Sequence, residues 1–349
     1  MQYKVLLRAS LRMPTSIVSV TKDNPLAEMV ARSLEAVKFS KILEKRGGES
    51  VIVKPNFADV GRIAPLDYKP DIAGGKGQRA VGLPRRGDQT STEILEAIVK
   101  TLRDYSGVRE IVIAEASATP TWKAYFMYGI YDLAQRHHVR LVDLNNDEAE
   151  AVSPPGAQVL KTVFTPRTIA KANIVISVPV LKIWRACGVS ISLKNMAGGT
   201  VPRYYAPQIC RFIQWSDRPI FNPDTEYGQS KTLAAGIVDI ASMNRAHISI
   251  VDALTVMHNA HPGKEFSFRY EDVKVEDFGG IISGSDMVAT DAVGAELMGF
   301  DAKRILHLNV AKERGLGTND MSEIEVTGIN LDSVKMKCTP MAGMEEIVK

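Results

Sequence analysis

The stretch Val51-Ile52-Val53-Lys54-Pro55-Asn56 decides how the rest of the 349-residue chain is read. Three β-branched residues in a row make a strand buried on both faces, the pattern of a parallel sheet covered by helices. Pro55 removes a backbone donor and ends the ladder, so Lys54 stands at the carboxyl edge of the sheet and Asn56 opens a loop. In open α/β sheets that edge is where ligands bind. A lysine there is placed to meet an anion; the competing reading is a surface lysine that lays its stem on the protein and keeps its ammonium in water.

Working outward, Tyr3–Leu7, Glu110–Ala114 and Val139–Leu144 read as strands that accompany Val51–Val53. A second group is Ile174–Val178, Ile248–Val251, Gly280–Ser283 and Ile324–Val326. Amphipathic stretches separate them: Leu26–Lys45, Glu93–Tyr105, Trp122–Arg136, Leu233–Asn244, Ala289–Leu297 and Lys303–Glu313. This alternation predicts an α/β fold with a mostly parallel sheet, or sheets, and helices on both faces. Two lobes with a cleft between them, residues 1–155 and 156–349, are expected, with Ala151–Gln158 and its Pro154, Pro155 and Gly156 as the seam. One continuous domain is the alternative. Thr90-Ser91-Thr92-Glu93 has the spacing of a capping box, so Thr90 is expected to cap the helix that follows. Asn56–Gln89 and Met196–Gly228 are long and aperiodic, and loops of that length are commonly functional. They would roof the strand ends or serve as contact arms between copies.

Composition narrows the function. Lys and Arg number 43 against 40 Asp and Glu, the formal net charge is +3, and 45% of residues are hydrophobic. That is ordinary for a globular protein and excludes a disordered chain or a coiled coil. The charge balance argues against nucleic acid as a partner, which needs many uncompensated cations. Cys187, Cys210 and Cys338 are too few and too scattered for a disulfide framework or a four-thiolate cluster. No run approaches the ~20 apolar residues of a membrane span, and the opening MQYKVLLRAS lacks a secretory core. A cytoplasmic protein without a membrane partner is expected.

Lys182 falls just beyond the Ile174–Val178 strand, and Lys194-Asn195 falls in a turn rich in glycine, with Gly198 and Gly199. With Lys54, Asn56 and Arg185 they would line a cationic cleft suited to a carboxylate or phosphate. Glu115, Asp143, Asp252, Asp286 and Asp291 follow other strands, where a carboxylate binds a metal, acts as a base, or caps a helix or turn. His258-x-x-His261 lies in the loop after Asp252, with Glu265 nearby. Two imidazoles there are candidate ligands for a divalent metal, or one is an acid–base group. His307 and His247 are read as structural. Phosphate-loop, dinucleotide and Gly-x-Ser-x-Gly signatures are absent.

VIVKPNF, TSTEILEAIV, EIVIAEASA, ANIVISVPVLK, VSISLKNMAGG, ISIVDAL and IISGSDMVATDAVGAEL, in that order, resemble the domain of unknown function 362 family over roughly Val51 to Leu297. Many members of that family carry a ferredoxin-type module. No such cysteine run occurs here, so the resemblance implies a form without an iron–sulfur cluster. The family usually shows Lys-Thr-His where this chain has Lys182-Ile183-Trp184, and its Gly-Pro-x-x-Gly turn is replaced by Ala260-His261-Pro262-Gly263. Those departures imply a specialised substrate, with His258 or His261 supplying the imidazole.

The expectation is therefore an enzyme acting on a small anionic metabolite by lyase- or isomerase-type acid–base chemistry. Lys54, Lys182, Lys194, His261 and Asp286 are its candidate catalytic residues. Asn56, Asn195, Arg185, Glu115, Asp252 and Asp291 are its candidate binding residues, and a homo-oligomer is allowed for. Two other readings stand beside it: a metal-dependent enzyme using His258, His261 and a strand-end Asp, and a non-catalytic partner in redox or cofactor maturation.

Overall fold

A computed structural model describes residues 16–57, 87–117, 120–184, 186–200, 228–264 and 272–349. Its strands are β1 (Ser16–Lys22), β2 (Val51–Lys54), β3 (Ile111–Glu115), β4 (Arg140–Asp143), β5 (Ala149–Val152), β6 (Val163–Pro166), β7 (Ile174–Ser177), β8 (Val180–Trp184), β9 (Gly188–Val189), β10 (Ile248–Asn259), β11 (Val273–Gly284) and β12 (Ile324–Gly328). The main sheet has the order β12-β1-β11-β10-β7-β2-β3-β4, and the β8–β9 hairpin extends from β10. β10, β7, β2, β3 and β4 are mutually parallel, whereas β11 runs antiparallel to both β10 and β1. The fold is α/β with a mostly parallel sheet. Strands from either side of the Ala151–Gln158 stretch are direct neighbours in it, β2 pairing with β7 so that Lys54 lies opposite Ser177.

Alternation along the central strands divides the apolar side chains between two cores. Val51, Val53, Ile111, Ile113, Ile174 and Ile176 point to one face, where they meet the Leu26–Ala36, Thr92–Arg103 and Ile130–His137 helices. Ile52, Val112, Ala114 and Val175 point to the other, under the Ser192–Thr200, Lys231–Met243, Met287–Leu297 and Leu306–Glu313 helices. The period-2 register of each strand thus sends successive residues into opposite layers.

Several sequence expectations need correction. Leu26–Lys45 is two helices, because Lys38 adopts a left-handed φ of 56° after the first ends; Trp122–Arg136 breaks likewise at Gly129, where φ is 65°. The Ser192–Thr200 segment, read as a turn holding Lys194 and Asn195, is a helix. β10 continues through Asn259, so His258 sits on a strand and not in a loop. Thr90 caps nothing: its hydroxyl donates to Val178 O at 2.6 Å and accepts Asn56 N–H at 2.8 Å, clamping the ends of β2 and β7. Ser91 holds the N-cap position, with its backbone N–H donating to Asp252 Oδ2 at 2.8 Å. β1 and the β5–β6 ribbon went unrecognised in the sequence, and Tyr3–Leu7 lies outside the described residues. Among the described residues no helix is long and apolar enough to cross a membrane.

Candidate active site

Lys54 ends β2 with its ammonium fully buried. It donates to Glu115 Oε2 at 2.8 Å, to Asn195 Oδ1 at 3.0 Å and to Pro55 O at 2.8 Å. Glu115 ends the adjacent strand β3, so parallel pairing alone brings the two together. Burial pushes the Lys54 pKa down and the Glu115 pKa up, while each partner's charge acts against that shift. Asn195 completes the group: its amide donates to Ser177 Oγ at 2.9 Å and Lys54 O at 3.3 Å.

The helix that carries Asn195 is anchored from far away in sequence. Asp291, fully buried on the Met287–Leu297 helix, accepts the N–H of Ser192 at 2.8 Å and of Leu193 at 3.0 Å. A carboxylate at that end satisfies orphan donors and complements the helix dipole. Burial still raises the Asp291 pKa to about 7. Asp291 therefore sets where Lys194 and Asn195 point, through the helix it anchors.

Lys182 and Lys194 flank one indole. The Lys182 ammonium is 5.8 Å and the Lys194 ammonium 4.7 Å from the Trp184 ring centroid, within cation–π range. Lys182 also donates to Asp88 O at 2.6 Å. Gly87, at a φ of +65°, brings that turn close against Met257, where a Cβ would stand 3.1 Å from the Met257 Cβ. Burial, with the charge of Lys194 adding to it, lowers the Lys182 pKa to about 8 despite opposing pull from Asp88. Lys194 is also buried and its pKa is lowered by that burial. Among the described residues its ammonium meets the Trp184 ring and no carboxylate. Cys187, beside them, is a buried thiol that donates to Val189 O and is pushed up to about 12, far from a reactive thiolate.

The structure thus brings Lys54, Glu115, Asn195, Lys182 and Lys194 into one neighbourhood, with Asn56 after β2 and Asp252 on β10 each hydrogen-bonded to the adjoining Thr90–Ser91 turn. Other candidates lie apart from these contacts. Asp286 caps its own helix, accepting from Val288 N, Ala289 N, Thr318 N and Ser16 Oγ. His258 is buried and its Nδ1 accepts Thr339 N–H at 3.0 Å, while Nε2 lies 3.5 Å from Glu276. His261 occupies the turn that follows, its N–H bonded to Asn259 Oδ1. Arg185 and Glu265 lie outside the described residues. Among the described residues no three His, Cys, Asp or Glu side chains are grouped to hold a metal ion.

Sequence reasoning missed Asp88, Ser177, Trp184 and His307 as neighbours of the lysines. Asp88 lies in an aperiodic stretch, and in the sequence Trp184 reads only as the replacement for a family histidine.

No curated protein matches the chain. Among solved structures the chain is similar to the lactate racemase apoprotein from Thermoanaerobacterium thermosaccharolyticum, at 13% identity and a TM-score of 0.43. That likeness covers 83% of this chain and 58% of the other, so the chain spans under two thirds of that protein's length. The family described as Domain of unknown function (DUF362) matches residues 81–296, and the chain belongs to that family.

Proposed function

We propose that the chain is an enzyme that binds a small carboxylate or phosphate between Lys182 and Lys194 and moves a proton on it. The observation that carries this reading is Lys194, a buried ammonium that meets no carboxylate among the described residues, 4.7 Å from the face of Trp184 and beside a second buried lysine. A buried cation without a counter-ion is costly, and a bound anion supplies the missing charge. Lys182, with a pKa lowered to about 8, is the candidate base, because a useful fraction is neutral near physiological pH.

In this reading neutral Lys182 takes a proton from the carbon beside the anionic group and becomes an ammonium. On a carboxylate ligand the electron pair left behind delocalises into the carboxylate as an enediolate, whose added charge Lys194 stabilises; a phosphate group serves only to hold the ligand, the pair then passing to a carbonyl or carboxyl beside the reacting carbon. Return of the proton completes an isomerisation; departure of a leaving group completes an elimination. The Lys54–Glu115 pair and Asn195 hold the floor of the site in place.

The test is a panel of small carboxylates and phosphate esters, screened for binding by thermal shift and then followed by proton NMR in D2O. The expected result is enzyme-dependent deuterium incorporation at the carbon next to the anionic group of at least one ligand, abolished in Lys182→Met. Ligands that bind without exchange would make the chain a binding protein and reject the catalytic reading.

A further inference from the structure

Residues 336–349 form a strap across the carboxyl end of β10. Met336 N–H donates to Leu297 O at 2.7 Å and Cys338 N–H to Met298 O at 3.1 Å, where the Met287–Leu297 helix ends. Further on, Met341, Met344 and Ile347 are buried in the core beneath that helix. Between these anchors the strap crosses the last residues of β10. Asn259 N–H donates to Thr339 O at 3.2 Å and its side-chain amide to Pro340 O at 3.3 Å. Thr339 N–H donates in turn to His258 Nδ1 at 3.0 Å, an acceptor that titrates and is fully buried.

A ring nitrogen accepts a hydrogen bond only while it carries no proton, so this contact sets His258 as the neutral tautomer protonated on Nε2. Nε2 faces Glu276 Oε1 at 3.5 Å. A proton arriving at Nδ1 turns the acceptor into a donor, and two N–H groups then oppose each other across 3.0 Å. The groups around the ring pull both ways. Burial is the strongest influence and lowers the pKa from the ordinary histidine value, with Lys274, opposite His258 on β11, adding to it. Glu276 on β11 and a backbone hydrogen bond at Asn259 favour the charged ring. The strap itself brings Cys338, a neutral thiol pushed up to about 12, and the turn after β10 brings Lys264, whose carbonyl accepts the Asn259 amide at 2.8 Å. The ring is therefore neutral at physiological pH and takes its proton in acid.

We infer that His258 is an acid-sensitive latch: its neutral ring fastens the strap to β10 through Thr339, and a proton on Nδ1 unfastens it. The latch operates with or without a ligand at the lysines, yet it reaches their hairpin from two sides. Met257, the residue before His258, pairs with Lys182 on β8. At the far end of the strap, Ile347 Cδ1 lies 3.5 Å from where a Cβ of Gly188 would stand in the β8–β9 hairpin.

Amide hydrogen exchange, read by NMR on the ligand-free wild type and on His258→Asn between about pH 4 and pH 7.5, tests it, each rate being divided by its intrinsic rate at that pH. The His258 ring is titrated in the same samples. In the wild type, protection of the Thr339 amide should fall about tenfold as the ring takes its proton, the loss of one hydrogen bond, while amides of β2 and β3 stay protected. In His258→Asn the side-chain oxygen accepts the same N–H and does not titrate, so Thr339 protection should be independent of pH. Wild-type protection that stays constant through the His258 titration overturns the inference. So does an equal fall in His258→Asn, or a ring that takes no proton above about pH 4. Should His258→Asn fail to fold, the ring nitrogen shifts of the wild type at pH 7.5 decide: a proton on Nε2 supports the latch, and a proton on Nδ1 overturns it.

Discussion

Lys54 and Glu115 are 0% and 1% exposed, and their ion pair at 2.8 Å sits where strand ends meet. In such a place the pair's net worth is small, whereas a single survivor is a buried charge without a partner. Lys54→Met should therefore cost about 3–5 kcal/mol in urea unfolding, and Glu115→Leu a similar amount. The double variant should cost far less than the sum of the two; simple additivity would show that the two charges are not coupled. Lys54 was legible in the sequence because a β-branched run followed by proline fixes a strand end. Its acceptor Asn195 and the Trp184 face beside Lys194 were not, since residues 141 and 10 positions apart meet only through the folded sheet and hairpin.

Elements are placed by side chains from other elements. The Ser192–Thr200 helix, which carries Lys194 and Asn195, begins where it does because Asp291 accepts its first donors. A local scan cannot see a cap that lies 99 residues away, and the two glycines Gly198 and Gly199 then bias the reading toward a turn. Gly294, one turn beyond Asp291, lets its helix lie close to β8 and to the residue that leads into the Lys194 helix: a Cβ there would stand 2.7 Å from Ile191 Cδ1 and 3.0 Å from Leu181 Cδ1. Gly294→Ala should cost about 1–3 kcal/mol by overpacking. It should also weaken malonate binding, because the helix that moves is the one bearing Lys194. A variant as stable as wild type in thermal unfolding would contradict that close approach. The long helical stretches around Lys38 and Gly129 show the converse limit: amphipathic periodicity persisted across breaks that one left-handed residue makes.

At the scale of the whole molecule, the α/β class and the parallel core were legible because alternating apolar runs and amphipathic stretches leave few other solutions. The antiparallel direction of β11 and the place of β1 between β12 and β11 were not, since antiparallel and parallel strands carry the same apolar residues. Global stability should report the buried titratable groups. Burial lowers His307 to about 3 and His247 to about 4, so each contributes stability above pH 6.5 that is lost as pH falls toward its folded value. Asp291, raised to about 7, contributes in the opposite sense: its share is complete below its unfolded pKa and is lost as pH rises through 7. Between about pH 4 and 6.5 the two histidines outweigh the one carboxyl, so unfolding free energy should rise with pH. His307→Leu should flatten that rise and Asp291→Asn should steepen it in urea titrations; the reverse order would contradict the assigned burial.

The central claim is that Lys182 and Lys194 form one anion site, and the Lys182 pKa tests it most directly. It can be followed by carbon NMR of side-chain-labelled lysine, with and without saturating malonate. An anion between the two side chains favours the charged form of both, so malonate should raise the Lys182 pKa above its starting value of about 8, leaving a minority neutral form as the base, and Lys194→Met should abolish the response. A Lys182 pKa that stays at its starting value while malonate is bound would contradict the account.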